Sequence, residues 1–144
     1  MGTSASRTLA VRIERPWQVA YDFLAEPRNF PRWASGLCSA IEPLGADHWL
    51  AQTPQGPLRV RFSPRNPFGV LDHDVLPEDA PPIHIPLRLV ANGDGCELQL
   101  TLLRQPAMDD AAFERDAQWV EKDLRAIKAL LESEELPWTM GFSP

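Results

Sequence analysis

The chain opens on strict alternation. Leu9, Val11 and Ile13 fall on one side and Ala10, Arg12 and Glu14 on the other, the period of a half-buried strand over residues 8–14. Pro16 suits the first turn of a helix, where its missing N–H costs nothing. Trp17, Ala20, Phe23 and Leu24 follow at helical spacing and predict a short amphipathic helix that ends before Pro27. Asn29 can cap a second short helix carrying Phe30 and Trp33, and Gly36 closes it.

From Leu37 onward the period shortens. Apolar runs separated by turn residues predict strands over 37–44, 48–53, 58–63, 70–76, 83–91 and 97–104. Asn92-Gly93-Asp94-Gly95 is the strongest hairpin signal, because Asn-Gly readily takes positive φ. Pro86 interrupts a strand pattern, as expected of an edge strand or a bulge. Asp109 or Asp110 then caps a long helix reaching about residue 133. Its apolar stripe, Phe113, Ala117, Val120, Leu124, Ile127 and Leu131, advances by steps of four and three. Residues 1–135 are expected to form one domain and 136–144 an irregular tail containing Trp138.

Strands and the long helix are segregated along the chain, which predicts an α+β domain with a mainly antiparallel sheet. One helix cannot cover seven flat strands, so the sheet must curve around it and leave room for a pocket between them.

Composition narrows the function. With 144 residues the chain has the size of one domain. A net charge of −6, with no dense basic stretch beyond Arg59, Arg61 and Arg65, speaks against nucleic acid as a partner. No apolar run is long enough to span a bilayer, which excludes integral membrane association, and residues 1–8 lack the apolar core of a signal peptide. Two cysteines, Cys38 and Cys96, make neither a disulfide framework nor a metal motif, and point to a reducing cytoplasm. The 15 prolines are scattered as punctuation.

The order of elements, together with Val19-Ala20-Tyr21-Asp22-Phe23-Leu24, Pro27-Arg28-Asn29-Phe30-Pro31-Arg32-Trp33 and the closing helix, resembles the SRPBCC superfamily. That superfamily comprises the helix-grip domains of Bet v 1-type allergens, START lipid-transfer domains and polyketide cyclases. The resemblance runs from about residue 7 to 133, and Asn66-Pro67-Phe68-Gly69-Val70-Leu71-Asp72-His73 is similar to a set of its bacterial members. It implies a curved seven-stranded antiparallel sheet wrapped around the C-terminal helix, with two short helices after the first strand. It also implies a hydrophobic or aromatic small molecule, lipid or polyketide as ligand. It implies no particular reaction, and no catalytic motif carries over position by position.

Candidate chemistry is sparse. The histidines, His48, His73 and His84, have no metal-ligand spacing. In Asp72-His73-Asp74 strand alternation sends the two carboxylates to one face and the imidazole to the other, which argues against a shared metal. His73 shares its face with Leu71 and Val75. There it could be a core histidine bonded to backbone, a ligand contact or, in a catalytic pocket, the general base that takes a proton from an activated carbon or hydroxyl. Asp116 and Asp123 lie seven residues apart on the helix, about 10.5 Å along its axis, too far to share one proton. They are expected to pair with Arg or Lys or to solvate the helix edge. Arg88 could reach a ligand carboxylate or sit on the wetted convex face. No phosphate loop or nucleophile triad is present, so no cofactor is expected.

The leading expectation is therefore binding, with or without transport, of a small hydrophobic molecule. Its contacts would be Phe23, Phe30, Trp33, Val60, Phe62, Leu71, Phe113, Val120 and Leu124, with His73 as polar anchor and Arg88 as a further polar contact. The alternatives are a cyclase- or aromatase-type enzyme using the same pocket, and a protein-interaction or chaperone-like accessory module. A homodimer stays open.

Overall fold

The computed structural model describes residues 2–34 and 36–133. The tail expected at 136–144, with Trp138, lies outside the described residues. Strand β1 (Ser6–Ile13) leads into α1 (Trp17–Leu24), a 3-10 turn (Pro27–Asn29) and α2 (Phe30–Trp33). Strands β2 (Ala40–Gly45), β3 (His48–Thr53), β4 (Gly56–Phe62), β5 (His73–Leu76), β6 (Ile83–Ile85), β7 (Leu87–Asn92) and β8 (Gly95–Leu103) follow, and α3 (Asp110–Glu132) closes the domain.

All pairings are antiparallel, as the segregated pattern requires. The expected single sheet of seven strands is corrected to eight strands in two sheets, β1-β8-β7 and β2-β3-β4-β5-β6. The division falls at Pro86. Without an N–H, Pro86 cannot continue a ladder, so the expected strand over 83–91 breaks there and changes partner. β6 pairs with β5, whereas β7 pairs with β8. The expected strand over 70–76 is shortened to match. Its first residues touch β7 through one bridge, Val70↔Arg88, and its remainder becomes β5. Backbone bonds from Leu71 N to Leu87 O (2.8 Å), Leu89 N to Gly69 O (2.9 Å) and Thr101 N to Pro86 O (3.0 Å) stitch the sheets across the break.

The hairpins follow their turn chemistry. Gly93, at φ 59°, starts the two-residue turn between β7 and β8. Ala46 and Asp47, both at positive φ, form the turn between β2 and β3.

Helix α3 begins where expected, with Asp109 accepting a bond from Ala112 N at 2.7 Å. Its far end is fastened to the first sheet: Arg15 Nε donates to Leu131 O (2.9 Å), and Lys128 Nζ donates to Arg12 O (2.7 Å). Leu124, Ile127 and Leu131 are buried there with Ile13, Phe23, Leu87 and Leu98. Toward the start of α3 only Ala117 is fully buried. The helix thus presses on the sheet along its second half and leaves space beneath its first. No described helix is long and apolar enough to cross a membrane.

Candidate functional site

That space is a cavity of about 310 Å³ between α3, the second short helix and both sheets. Its closed end is made by buried Phe30, Trp33, His73 and Leu87, and its open rim by Gly36, Asp116 and half-exposed Trp119. Leu100 and Leu102 of β8, Ile83 and Ile85 of β6, and Val120, Leu124 and Ile127 of α3 form the walls between. Two further clefts exist. One, of about 440 Å³, lies beside the β2–β3 turn, and one, of about 300 Å³, lies beside Asp72, Asp74 and His84. Both mix charged and apolar residues, whereas the cavity under α3 is walled mainly by hydrocarbon and aromatic rings.

Strand register explains what faces inward. Phe62, His73 and Ile85 are cross-strand partners in one row, so their side chains share a face. The neighbouring row is Arg61, Asp74 and His84, on the opposite face. There Arg61 is bonded to Asp74, and His84 Nδ1 lies 2.6 Å from the same carboxylate. Arg88 also belongs to this outer face, where its Nη2 lies 2.8 Å from Asp72. Burial alone would raise the Asp72 carboxyl, but bonds from Arg88 and from Leu87 N–H hold it below its ordinary value.

His73 is 5% exposed and ringed by Phe30, Trp33 and Phe62, at centroid distances of 5.7, 6.1 and 5.9 Å. Its Nδ1 lies 3.1 Å from Leu71 O. A carbonyl only accepts, so Nδ1 carries the proton and Nε2 presents a lone pair, to which nothing among the described residues donates. Burial pushes the imidazole pKa down, and the Leu71 bond and the charges of Asp72 and Asp74 offset this only in part. The ring is therefore neutral at pH 7 and equipped to accept a proton or a hydrogen bond. Trp33 contributes a buried indole N–H that has no partner among the described residues.

Of the residues expected to contact a ligand, the cavity wall includes Phe30, Trp33, His73, Val120 and Leu124. Phe23 and Val60 are wholly buried core, and Leu71 is buried beside them. Phe62 packs on Phe30 and His73 but borders the two other clefts. Phe113 is half-buried outside the wall, and Arg88 lies on the far side of the sheet. Asp116 and Asp123 were expected to pair with Arg or Lys or to solvate the helix edge. Both line the cavity, and neither forms an ion pair among the described residues. Leu100, Leu102, Ile83, Ile85 and Trp119 were missed. Alternation with Leu98 could have found the two leucines, whereas Trp119 sits on the polar side of the helical stripe and carried no signal.

Models of known protein families give no match to the sequence, and neither do curated protein sequences. Solved structures do. A START superfamily protein from Mycobacterium smegmatis superposes with a TM-score of 0.72 at 10% identity, over 88% of this chain and 97% of that one. Ara h 8.0201 gives 0.62 at 10% identity, over 88% and 97%. DynU16, a putative protein in the dynemicin biosynthetic locus, gives 0.66 at 15% identity, over 90% of this chain but 48% of its own. An antiparallel sheet bent around a C-terminal helix, shared over nine-tenths of the chain with START and Bet v 1-like structures, gives this protein an SRPBCC-type helix-grip fold.

Proposed function

We propose that this protein binds a small hydrophobic or aromatic molecule or lipid in the cavity beneath α3. The observation that carries the reading is the cavity itself: about 310 Å³, the lower end of the range for small-molecule sites, apolar-walled, with few polar groups aimed at it. Burial of a ligand there contributes roughly 25 cal/mol for each Å² of apolar surface removed from water. Phe30, Trp33, Val120 and Leu124 supply the contact area, and His73 Nε2 accepts one orienting hydrogen bond. Two free buried cysteines suit a cytoplasmic location.

A second reading, an enzyme of the cyclase or aromatase type, rests on His73. A neutral imidazole with a fixed tautomer and a lone pair unused among the described residues, at the closed end of the cavity, is arranged to take a proton from a bound carbon acid or hydroxyl. The location of DynU16 in a biosynthetic locus agrees with this second reading.

Thermal unfolding against a panel of lipids, steroids, flavonoids and aromatic polyketides tests both. A ligand at 100 times its dissociation constant adds about 2.7 kcal/mol, a rise of several degrees for a domain of this size. A saturable rise for one chemical class supports binding. Turnover of that class, lost in His73→Gln with binding retained, supports the enzyme. No rise across the panel overturns both.

A further inference from the structure

The charge around the cavity is one-sided. Its wall carries two carboxylates, Asp116 and Asp123, and neither Lys nor Arg among the described residues. Asp116 lies three residues before Trp119 and Asp123 four after it, so on α3 the three stand on one face in consecutive turns. All three border the cavity. Other carboxylates of this protein are paired: Asp72 with Arg88, Asp74 with Arg61, Glu114 with Arg7. Asp116 and Asp123 accept no hydrogen bond and join no salt bridge among the described residues. Asp123 is partly withdrawn from water, which raises its carboxyl pKa, and the charge of Lys122 nearby offsets this in part.

Two further features bear on the occupant. The Trp119 indole already takes a cation on its face, with Lys122 Nζ 5.2 Å from the ring centroid. At the closed end, His73 is 5% exposed and nothing among the described residues donates to its Nε2, while the Trp33 indole N–H has no acceptor among them. Negative charge is thus confined to the α3 side of the cavity, with hydrocarbon between it and a closed end that offers one acceptor, His73 Nε2, and one donor, the Trp33 indole N–H.

We propose that the preferred occupant is an apolar amine. Its hydrocarbon or aromatic body lies between the sheet and α3, and its protonated nitrogen sits at the rim against Asp116 and Asp123, beside Trp119. This rests on the cavity-binding reading and names its ligand class. The same carboxylates repel fatty acids and aryl acids of equal shape.

Three probes of nearly one shape separate the effects: 2-(1-naphthyl)ethylamine, 2-(1-naphthyl)ethanol and 1-naphthaleneacetic acid, titrated into the intact protein by calorimetry at neutral pH and low salt. The amine is expected to bind about tenfold more tightly than the alcohol, and the acid most weakly. Asp123→Asn should bring the amine down to the alcohol while leaving the alcohol unchanged, with Asp116→Asn acting in the same direction. Added salt should erode the amine's advantage and leave the alcohol alone. An acid that binds as tightly as the amine overturns the proposal, as does an amine-to-alcohol ratio untouched by both substitutions. Alcohol binding with no amine advantage overturns this proposal and leaves the cavity reading standing. No binding of any probe overturns both.

Discussion

His73 shows how a single residue acquires its chemistry from its surroundings. Its imidazole is buried and its pKa depressed, so folding lowers its proton affinity. Below about pH 6.5 the unfolded chain binds the proton more readily than the folded one. The stability tied to His73 is therefore complete above that pH and is lost as pH falls from it toward the lower folded value. Urea unfolding from pH 7.5 to 5 should show a falling midpoint, flattened in His73→Gln. The depressed carboxyls of Asp72 and Asp74 act in a separate window, with their stabilisation lost only below about pH 4. The sequence placed His73 on the inner face by alternation, and left Arg88 open between ligand and solvent. What settled Arg88 was Asp72, bonded across the break in the sheet, which no local pattern records. Gly36 reads in sequence as the close of the second short helix, and its contact with Trp119 is not legible there. A Cβ there would come within 2.4 Å of Trp119 Cζ2, so Gly36→Ala must push the indole aside. Because Trp119 is half-exposed, denaturation should change by no more than about 0.5 kcal/mol. Calorimetric binding of the amine probe should weaken several-fold.

At the scale of elements, local rules carried most of the way. Periodicity located α1, α2 and α3, and turn residues located the hairpins, but the expected caps of α2 are corrected: Asn29 Nδ2 donates to Phe23 O and Ala34, not Gly36, stands at the helix end. Asp109 caps α3 through its bond to Ala112 N. Asp109→Ala should cost about 1 kcal/mol, read as a lower urea midpoint at unchanged slope. The element that pattern alone resolved least was the strand through Pro86. Hydrophobicity continues across it, from Ile83 and Ile85 to Leu87 and Leu89, so periodicity predicts one strand. The missing N–H breaks the ladder, and the two halves join different sheets. That break bends the wall of the cavity, because Ile85 and Leu87 on either side of it both line the space.

For the whole molecule, the decisive feature is the uneven seating of α3. Its second half is locked to the sheet by Leu124, Ile127 and Leu131, while its first half roofs a cavity. Leu124 belongs to both, buried to 2% and lining the space. Leu124→Ala should lower stability by about 2–5 kcal/mol through lost contacts and an enlarged void. A cavity ligand large enough to fill the added space should restore part of that loss in thermal unfolding, whereas a ligand held elsewhere should not.

Taken alone, the sequence determined the class of fold, the identity of nearly every element and the inward face of His73. These follow from periods, caps and turns, which act over a few neighbouring residues. Only the tertiary structure decided that the sheet divides at Pro86, that Arg88 turns outward to Asp72, and that Asp116, Trp119 and Asp123 stand around an apolar opening. Each depends on which distant segments meet. A helix reads the same whether its polar flank faces water or the mouth of a cavity.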